Sequence, residues 1–341
     1  MKIGIIGPPQ SGKTTAFSSL TGLHVDAFGG REANVGVVKV PDERLDVLTE
    51  MYHPKKTIHA EITFLDLPGL GPNDKLSALT NQLAEAEALA LVIGVYAADD
   101  PVAALESFIL ETVLADLSLL ENRIERLDKD IARGRKEAAA EKPLIERCHG
   151  HLSDGLRLSL LDLSDDELNR LRGYQLVTLM PSLIVANVGE EHLSEDLTPL
   201  HDAARAAGLE CITLCAPLEA EIAQLPPEDR ATFLADYGIE EPARDRFISA
   251  AYKLLDLISF LTVGPDEVRA WPIRRGTKAP QAAGKVHSDI ERGFIRAEVV
   301  AYTDLTTAGS YAACRPLGQV RLEGKEYIVK DGDVIDYRFS V

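Results

Sequence analysis

The chain is 341 residues long, 45% hydrophobic and 26% charged, with a formal net charge of −18. That length implies two or three domains, the composition is that of an ordinary globular protein, and no apolar run approaches the ~20 residues that span a bilayer. The acidic balance argues against nucleic-acid binding by the whole surface, so neither a membrane nor DNA is expected as a partner.

In chain order, Ile3–Ile6 reads as a buried strand, followed by Gly7-Pro8-Pro9-Gln10-Ser11-Gly12-Lys13-Thr14-Thr15 and a helix over Thr14–Leu20. A strand running into a glycine loop is not a cleavable signal. Further strands are expected at Val35–Val40, Ile62–Leu65 and Leu89–Val95, with a helix at Lys75–Ala88. Runs of Val, Ile and Leu suit strands buried on both faces, and their alternation with helices predicts an α/β domain with a mostly parallel sheet. After Asp99-Asp100-Pro101, residues Leu110, Val113, Leu117, Leu120, Ile124, Leu127 and Ile131 repeat at alternating spacings of three and four, ending at Gly134. This a/d seam predicts a helical insertion over about 101–180, either an antiparallel coiled-coil arm or a helical subdomain with no projecting arm, with an interruption at Pro143 and a capping box at Ser164/Glu167. Strands resume at Ser182–Ala186 and Glu210–Leu214 around a helix at Thr198–Ala207, and a helical stretch runs from Pro226-Pro227 to Phe260.

The last part reads as short strands: Val268–Ile273, Phe294–Ala301, Val320–Leu322, Tyr327–Val329 and Val334–Phe339. From Thr262 onward there are 12 basic and 11 acidic residues, which leaves −19 on the rest. A near-neutral end on an acidic body suggests a separate module with its own partner. The expected domains are therefore a nucleotide-binding domain over 1–100 and 181–260, a helical insertion over 101–180 and a β-rich module over 261–341. Cys148, Cys211, Cys215 and Cys314 form no CxxC pair and are read as reduced structural thiols of a cytoplasmic protein.

Gly7 to Thr14 fits G-x-x-x-x-G-K-[ST]. Its glycines let backbone N–H groups face the phosphates, the helix start adds its positive end, Lys13 reaches the β/γ oxygens, and Thr14 can ligate Mg²⁺. Ile62–Leu65 delivers Asp66 at a strand end, where a Walker B carboxylate orders the metal shell. Gly69, in Asp66-Leu67-Pro68-Gly69, would sense the γ-phosphate. Lys13 and Gly69 are thus the catalytic candidates, and Thr14 and Asp66 the metal ligands. After Ser182–Ala186 comes Asn187-Val188-Gly189-Glu190, where GTP-binding proteins carry N-K-x-D. Val188 replaces the lysine that packs on guanine, and Glu190 the aspartate that accepts from it. Asn187 suits either purine.

Together these residues resemble the Obg-like ATPase (YchF) family of P-loop proteins. The second-strand region Asn34–Val38 with Val40-Pro41-Asp42-Glu43-Arg44-Leu45-Asp46, the Asn187–Glu190 loop, and Cys215-Ala216 with Glu219 and Glu221 are similar to its signatures. Glu267–Trp271, His287, Gly293–Ala297 and Gly324–Asp333 resemble its TGS domain. The resemblance implies a P-loop GTPase-like parallel-sheet core, a coiled-coil insertion and a small β-rich α+β TGS module. It also implies a preference for ATP over GTP, base contacts at Cys215 and Ala216, and ribosome or structured-RNA binding through the TGS module and helical arm. Arg274, Arg275, Lys278, Lys285 and Arg296 are the candidate phosphate contacts of that module.

The departures concern hydrolysis. Gln10 stands where relatives carry an Asn associated with monovalent-cation use, and Gly30 stands where a Mg²⁺-binding switch I Thr is expected. Gly71-Pro72-Asn73-Asp74 replaces a longer glycine-rich stretch. No His occurs between His59 and His149, although relatives use one after the fourth strand. Losing such a group costs about 10²–10³ in rate, so slow turnover is expected. Three functions compete: a monomeric ATP-driven switch on the translation machinery, a non-hydrolysing nucleotide-sensing adaptor, and a GTPase in which Glu190 reads guanine.

Overall fold

The computed structural model describes residues 1–23, 25, 33–67, 83, 85–193, 195–237, 239 and 241–340. The expected helix at Lys75–Ala88 lies largely outside them, as do Ala27–Gly30 and Gly69–Asp74. The chain divides into two compact units, Met1–Val38 with Thr63–Phe247, and Lys39–Ile62 with Ile248–Val341.

The first unit is built on a six-stranded sheet. Its strands are β1 (Lys2–Ile6), β2 (Asn34–Lys39), β4 (Glu61–Asp66), β5 (Ala88–Gly94), β6 (Ser182–Asn187) and β7 (Glu210–Leu214), in the order β2-β4-β1-β5-β6-β7. Pairing from β4 through β7 is parallel, with Ile5 opposite Asp66 and Gly94 opposite Asn187. All seven residues of β5 and all six of β6 are buried, as expected of strands covered on both faces. The helices include α1 (Lys13–Thr21), α6 (Thr198–Ala206) and α7 (Ala216–Gln224). In such sheets ligands bind at the carboxyl ends of the strands, where the connection after β1 runs to one side and that after its neighbour β5 to the other.

Between β5 and β6 stand α3 (Pro101–Ala132), α4 (Lys136–Ser153) and α5 (Asp165–Leu171). Asp100 caps α3 by accepting from the N–H groups of Val102 and Ala103, with Pro101 in the first turn, where its missing N–H costs nothing. Leu105 and Phe108 belong to the sheet core, whereas Val113, Leu120 and Leu127 pack with Ile145, Cys148 and Leu152 of α4. The a/d seam is therefore a helix-pair core, except at its first position. Leu110 is 48% exposed. Pro143 does not interrupt the helix, which runs through it, and Arg170 donates to the Ala140 carbonyl in that turn. The capping box at Ser164/Glu167 forms in both directions.

Asp116 fastens this insertion to the sheet. Buried on α3, it accepts from the N–H groups of Val177 (3.0 Å) and Thr178 (2.8 Å) and from the Thr178 hydroxyl. The equally buried Arg157 donates to the Ser182 hydroxyl at the start of β6; burial raises the Asp116 pKa, and the hydrogen bonds from Thr178 and Val177 together with the Arg157 charge oppose that rise.

The second unit carries β3 (Lys56–Ile58), β8 (Leu257–Val263), β9 (Glu267–Arg274), β10 (Phe294–Ala301), β11 (Arg321–Glu323) and β12 (Asp333–Phe339), in the order β11-β10-β12-β8-β9-β3. Helix α10 (Ala279–Val286) packs Ala282 and Ala283 into a core of Phe260, Trp271, Phe294, Val299 and Tyr337. Phe260 and Trp271 stack with centroids 6.2 Å apart. Two expectations fail here. Leu257–Phe260 are strand rather than the end of a helix, because the preceding helix, Ala243–Leu254, stops before them, so this sheet begins before residue 261. Tyr327–Val329 is not a strand; Ile328 makes only an isolated bridge to Lys278. Among the described residues no helix is long and apolar enough to cross a membrane.

Replacing Asp116 by Ala would leave two buried N–H groups and a buried guanidinium without their acceptor and counter-charge. The expected loss is about 3–5 kcal/mol, measured by urea unfolding, with Asp116→Asn losing clearly less. Equal losses would show that packing, not the carboxylate, holds the insertion.

Candidate nucleotide site

The sequence-predicted phosphate residues meet at the carboxyl ends of β1, β4, β5 and β6, all within the first unit. Gly7 ends β1, and the loop turns through Gln10 and Gly12, whose φ values are +65° and +74°. Ser11 N–H closes a turn onto the Pro8 carbonyl at 3.3 Å, and Ala16 N–H bonds the Gly12 carbonyl at 2.8 Å as α1 begins. Gly12 has two reasons to lack a side chain. Its φ is left-handed, and a Cβ would lie 2.2 Å from Asn187 Nδ2 and 2.5 Å from the Tyr96 hydroxyl.

Lys13 Nζ pairs directly with Asp66 Oδ1, and Asn34 Nδ2 donates to Asp66 Oδ2 at 3.1 Å. Asp66 is 3% exposed. The Walker carboxylate is thus oriented from both sides, by the phosphate-loop cation and by an amide at the start of β2. Thr14 is half-buried in the first turn of α1, and Thr15 is exposed. Among the described residues no cluster of three or more His, Cys, Asp or Glu side chains could hold a metal by itself. The donors present, the Thr14 hydroxyl and the Asp66 carboxylate, are hard oxygens. They suit Mg²⁺, which is characteristically held by one or two protein groups plus substrate phosphates.

On the other side of the loop, Asn187 is 2% exposed and donates Nδ2–H to the Ser11 carbonyl at 3.1 Å. Its Oδ1 and the Ser11 hydroxyl are buried without a protein partner. Tyr96, just past β5, donates its hydroxyl to the Gln10 carbonyl at 3.2 Å. Next to these groups lies an open cleft of ≈ 510 Å³ lined by Thr15, Tyr96, Asn187, Val188, Gly189, Glu190, Glu191, Ala216 and Pro217. Pro8, Pro9 and Gln10 form the outer part of the loop, half-buried to exposed.

The predicted base-side residues divide into two kinds. Glu190 is exposed at the cleft. Val188 is fully buried in the sheet core, with its N–H on the Leu214 carbonyl, so it can offer a base only backbone and a wall. Cys215 and Ala216 are buried at the start of α7. Burial pushes the Cys215 thiol pKa up, leaving it neutral and apolar. Glu219 accepts from the N–H groups of Ala243 and Arg244, which makes it a helix cap rather than a base contact. Sequence reasoning assigned no site role to Asn34 or Tyr96. Asn34 was visible only as part of a strand signature, and nothing in a lone tyrosine after a strand announces a bond to a loop 86 residues earlier.

In the second unit Arg274, Arg275, Lys278, Lys285 and Arg296 are all exposed. Arg275 is paired with Asp256 and Lys278 with Glu326. His287 caps helix α11 (Ser288–Arg292) through Nδ1, and Trp271 is buried with Arg269 over its ring at 3.9 Å.

The chain is similar to known proteins over nearly its whole length. A family model described as a 50S ribosome-binding GTPase matches residues 2–145. A second, for the C-terminal region of YchF GTPases and described as a protein of unknown function, matches residues 257–340. The ribosome-binding ATPase YchF of Escherichia coli O157:H7 is 39% identical over 100% of this chain and 99% of its own length. That of Bacillus subtilis is 37% identical over 99% of both. The solved structure of the Schizosaccharomyces pombe YchF GTPase superposes with a TM-score of 0.87 at 28% identity, covering 99% of this chain and 97% of that one.

Lys13→Ala tests the centre of the site. Removing a charge-assisted phosphate contact is expected to weaken triphosphate binding by about 2–3 kcal/mol, roughly 30–150-fold, by calorimetry. Because Asp66 loses its counter-charge, the ligand-free protein should also unfold at lower urea. Unchanged affinity would place the phosphates elsewhere.

Proposed function

The chain belongs to the YchF family of ribosome-binding ATPases, and from that premise we propose that it is a Mg²⁺-dependent ATP-binding switch with slow intrinsic hydrolysis that acts on the ribosome. The observation that carries the choice of base is the state of Asn187. One of its two amide N–H groups is committed to the Ser11 carbonyl, and its Oδ1 is a buried acceptor without a protein partner beside the cleft. An acceptor there matches the N6 amino group of adenine. Buried Val188 supports the same reading, since it cannot replace a lysine stem stacked on guanine.

The chain's own residues account for binding and orientation. Backbone N–H groups of the loop and the start of α1 receive the phosphates, Lys13 transfers from Asp66 to the β/γ oxygens, and Asn34 keeps Asp66 facing the metal side. Thr14 and Asp66 would hold the Mg²⁺, which supplies charge neutralisation on the phosphates. Slow turnover rests on Gly30 and on the missing histidine before His149. Ribosome contact is supported by the names of the relatives, and we assign it to the 261–341 module and the 101–180 arm of a monomeric, cytoplasmic protein.

Competition calorimetry should give tighter binding for ATP than for GTP, and equal or tighter GTP binding would reverse the assignment. Single-turnover hydrolysis should be slow for the isolated protein and faster with ribosomes. Fast turnover alone would remove the basis for a partner-triggered switch.

A further inference from the structure

We propose that the Tyr96 hydroxyl is a positioning group that holds Gln10 in its left-handed backbone conformation and so keeps the phosphate loop shaped for its ligand. The inference deepens the nucleotide-binding reading above and rests on it for its functional consequence.

Gln10 has φ +65°. L-residues other than Gly avoid that region, and the exceptions are mainly Asn and Asp, whose short side chains bond the local backbone. Gln is one methylene longer and loses that advantage, so its conformation needs support from outside the loop. Two hydrogen bonds supply it on a single peptide plane. The Gln10 carbonyl receives the Tyr96 hydroxyl at 3.2 Å, and the N–H of the same plane, on Ser11, closes onto the Pro8 carbonyl at 3.3 Å. Because the peptide is planar, bonds at its oxygen and at its nitrogen together restrain rotation of the whole plane about the flanking φ and ψ bonds.

Tyr96 is well placed for this role. It sits in the 3-10 turn Val95–Ala97 that follows β5, between the buried Val95 and a turn closed by the Ala98 N–H on the Val95 carbonyl. Tyr96 is 43% exposed, and the partial burial of its ring raises its pKa, so the hydroxyl keeps its proton at neutral pH. The same oxygen would lie 2.5 Å from a Cβ at Gly12, so it rests on the loop at its second left-handed position as well. The ring could be supplied by phenylalanine; only the hydroxyl supplies the donor.

The test is a double-mutant cycle of Tyr96→Phe and Gln10→Gly, read by ATP calorimetry and by urea unfolding of the ligand-free protein. Tyr96→Phe should weaken ATP binding about fivefold. In the Gln10→Gly background, where left-handed φ carries no penalty, the same change should alter affinity less than about twofold. A ring that merely packs would produce no such rescue. Unaltered affinity in Tyr96→Phe, or an equal loss in both backgrounds, would overturn the proposal. If the wild type binds no triphosphate, the nucleotide reading fails, and the unfolding cycle still decides the tether. Coupling between positions 10 and 96 supports the tether, and additive midpoint shifts overturn it.

Discussion

A loop that presents its N–H groups inward to an anion must turn its carbonyls outward, and those carbonyls need donors. That constraint organises the first unit. The Gln10 and Ser11 carbonyls are met by Tyr96 and Asn187, which arrive from the ends of adjacent parallel strands β5 and β6. Two consecutive peptide planes are thereby fixed by side chains that also line the cleft beside them. The opposite wall obeys the same logic with charge. Asp66, nearly inaccessible, is tolerated because Lys13 and Asn34 satisfy its two oxygens. In the proposed reading, base and phosphate recognition are therefore not separate modules, since Asn187 touches both the loop and the cleft.

The second unit has its own polar centre. Asp42 caps α2 (Glu43–Tyr52) by accepting from Arg44 N–H and also pairs with the Arg44 guanidinium. Arg44 reaches Asp331, and the other Asp331 oxygen accepts from Ser259 N–H. Two stretches that carry the family resemblance, Val40–Asp46 and Gly324–Asp333, thus meet in one network. Their physical role is to join Lys39–Ile62 to the C-terminal sheet. The parallel pairing of β3 with β9 does the same through the backbone.

Legibility followed the range of the interactions. The strands of the first unit and the long helix α3 were readable because continuous apolar runs and a 3-4 repeat are local signals, and the phosphate loop and Asp66 are local motifs at strand ends, whereas helix α7 was not anticipated. Leu110 escaped because a heptad count cannot say where the partner helix begins; α4 and its neighbours cover the seam only from Val113 onward. Pro143 reads as a breaker from propensity alone, yet tertiary contacts around α4 hold the helix through it. β3 is three residues long and is stabilised by pairing with a strand more than two hundred positions away, so nothing in Lys56-Thr57-Ile58 reveals it. The roles of Asn34 and Tyr96 were hidden for the same reason: each is a single hydrogen bond across the fold.

The insertion is tied to the site by chain economy. Only residues 97–99 separate Tyr96 from Asp100, the N-cap of α3. That helix begins in the sheet core with Leu105 and Phe108 and continues without a break into the arm core at Val113. Asp116 then returns the connection to the sheet by binding the backbone of Val177 and Thr178, four residues before β6. β6 ends at Asn187, the second clamp on the loop. The segment between the two clamps is therefore a closed circuit of rigid elements, anchored at the phosphate loop by Tyr96 on its way out and by Asn187 on its return.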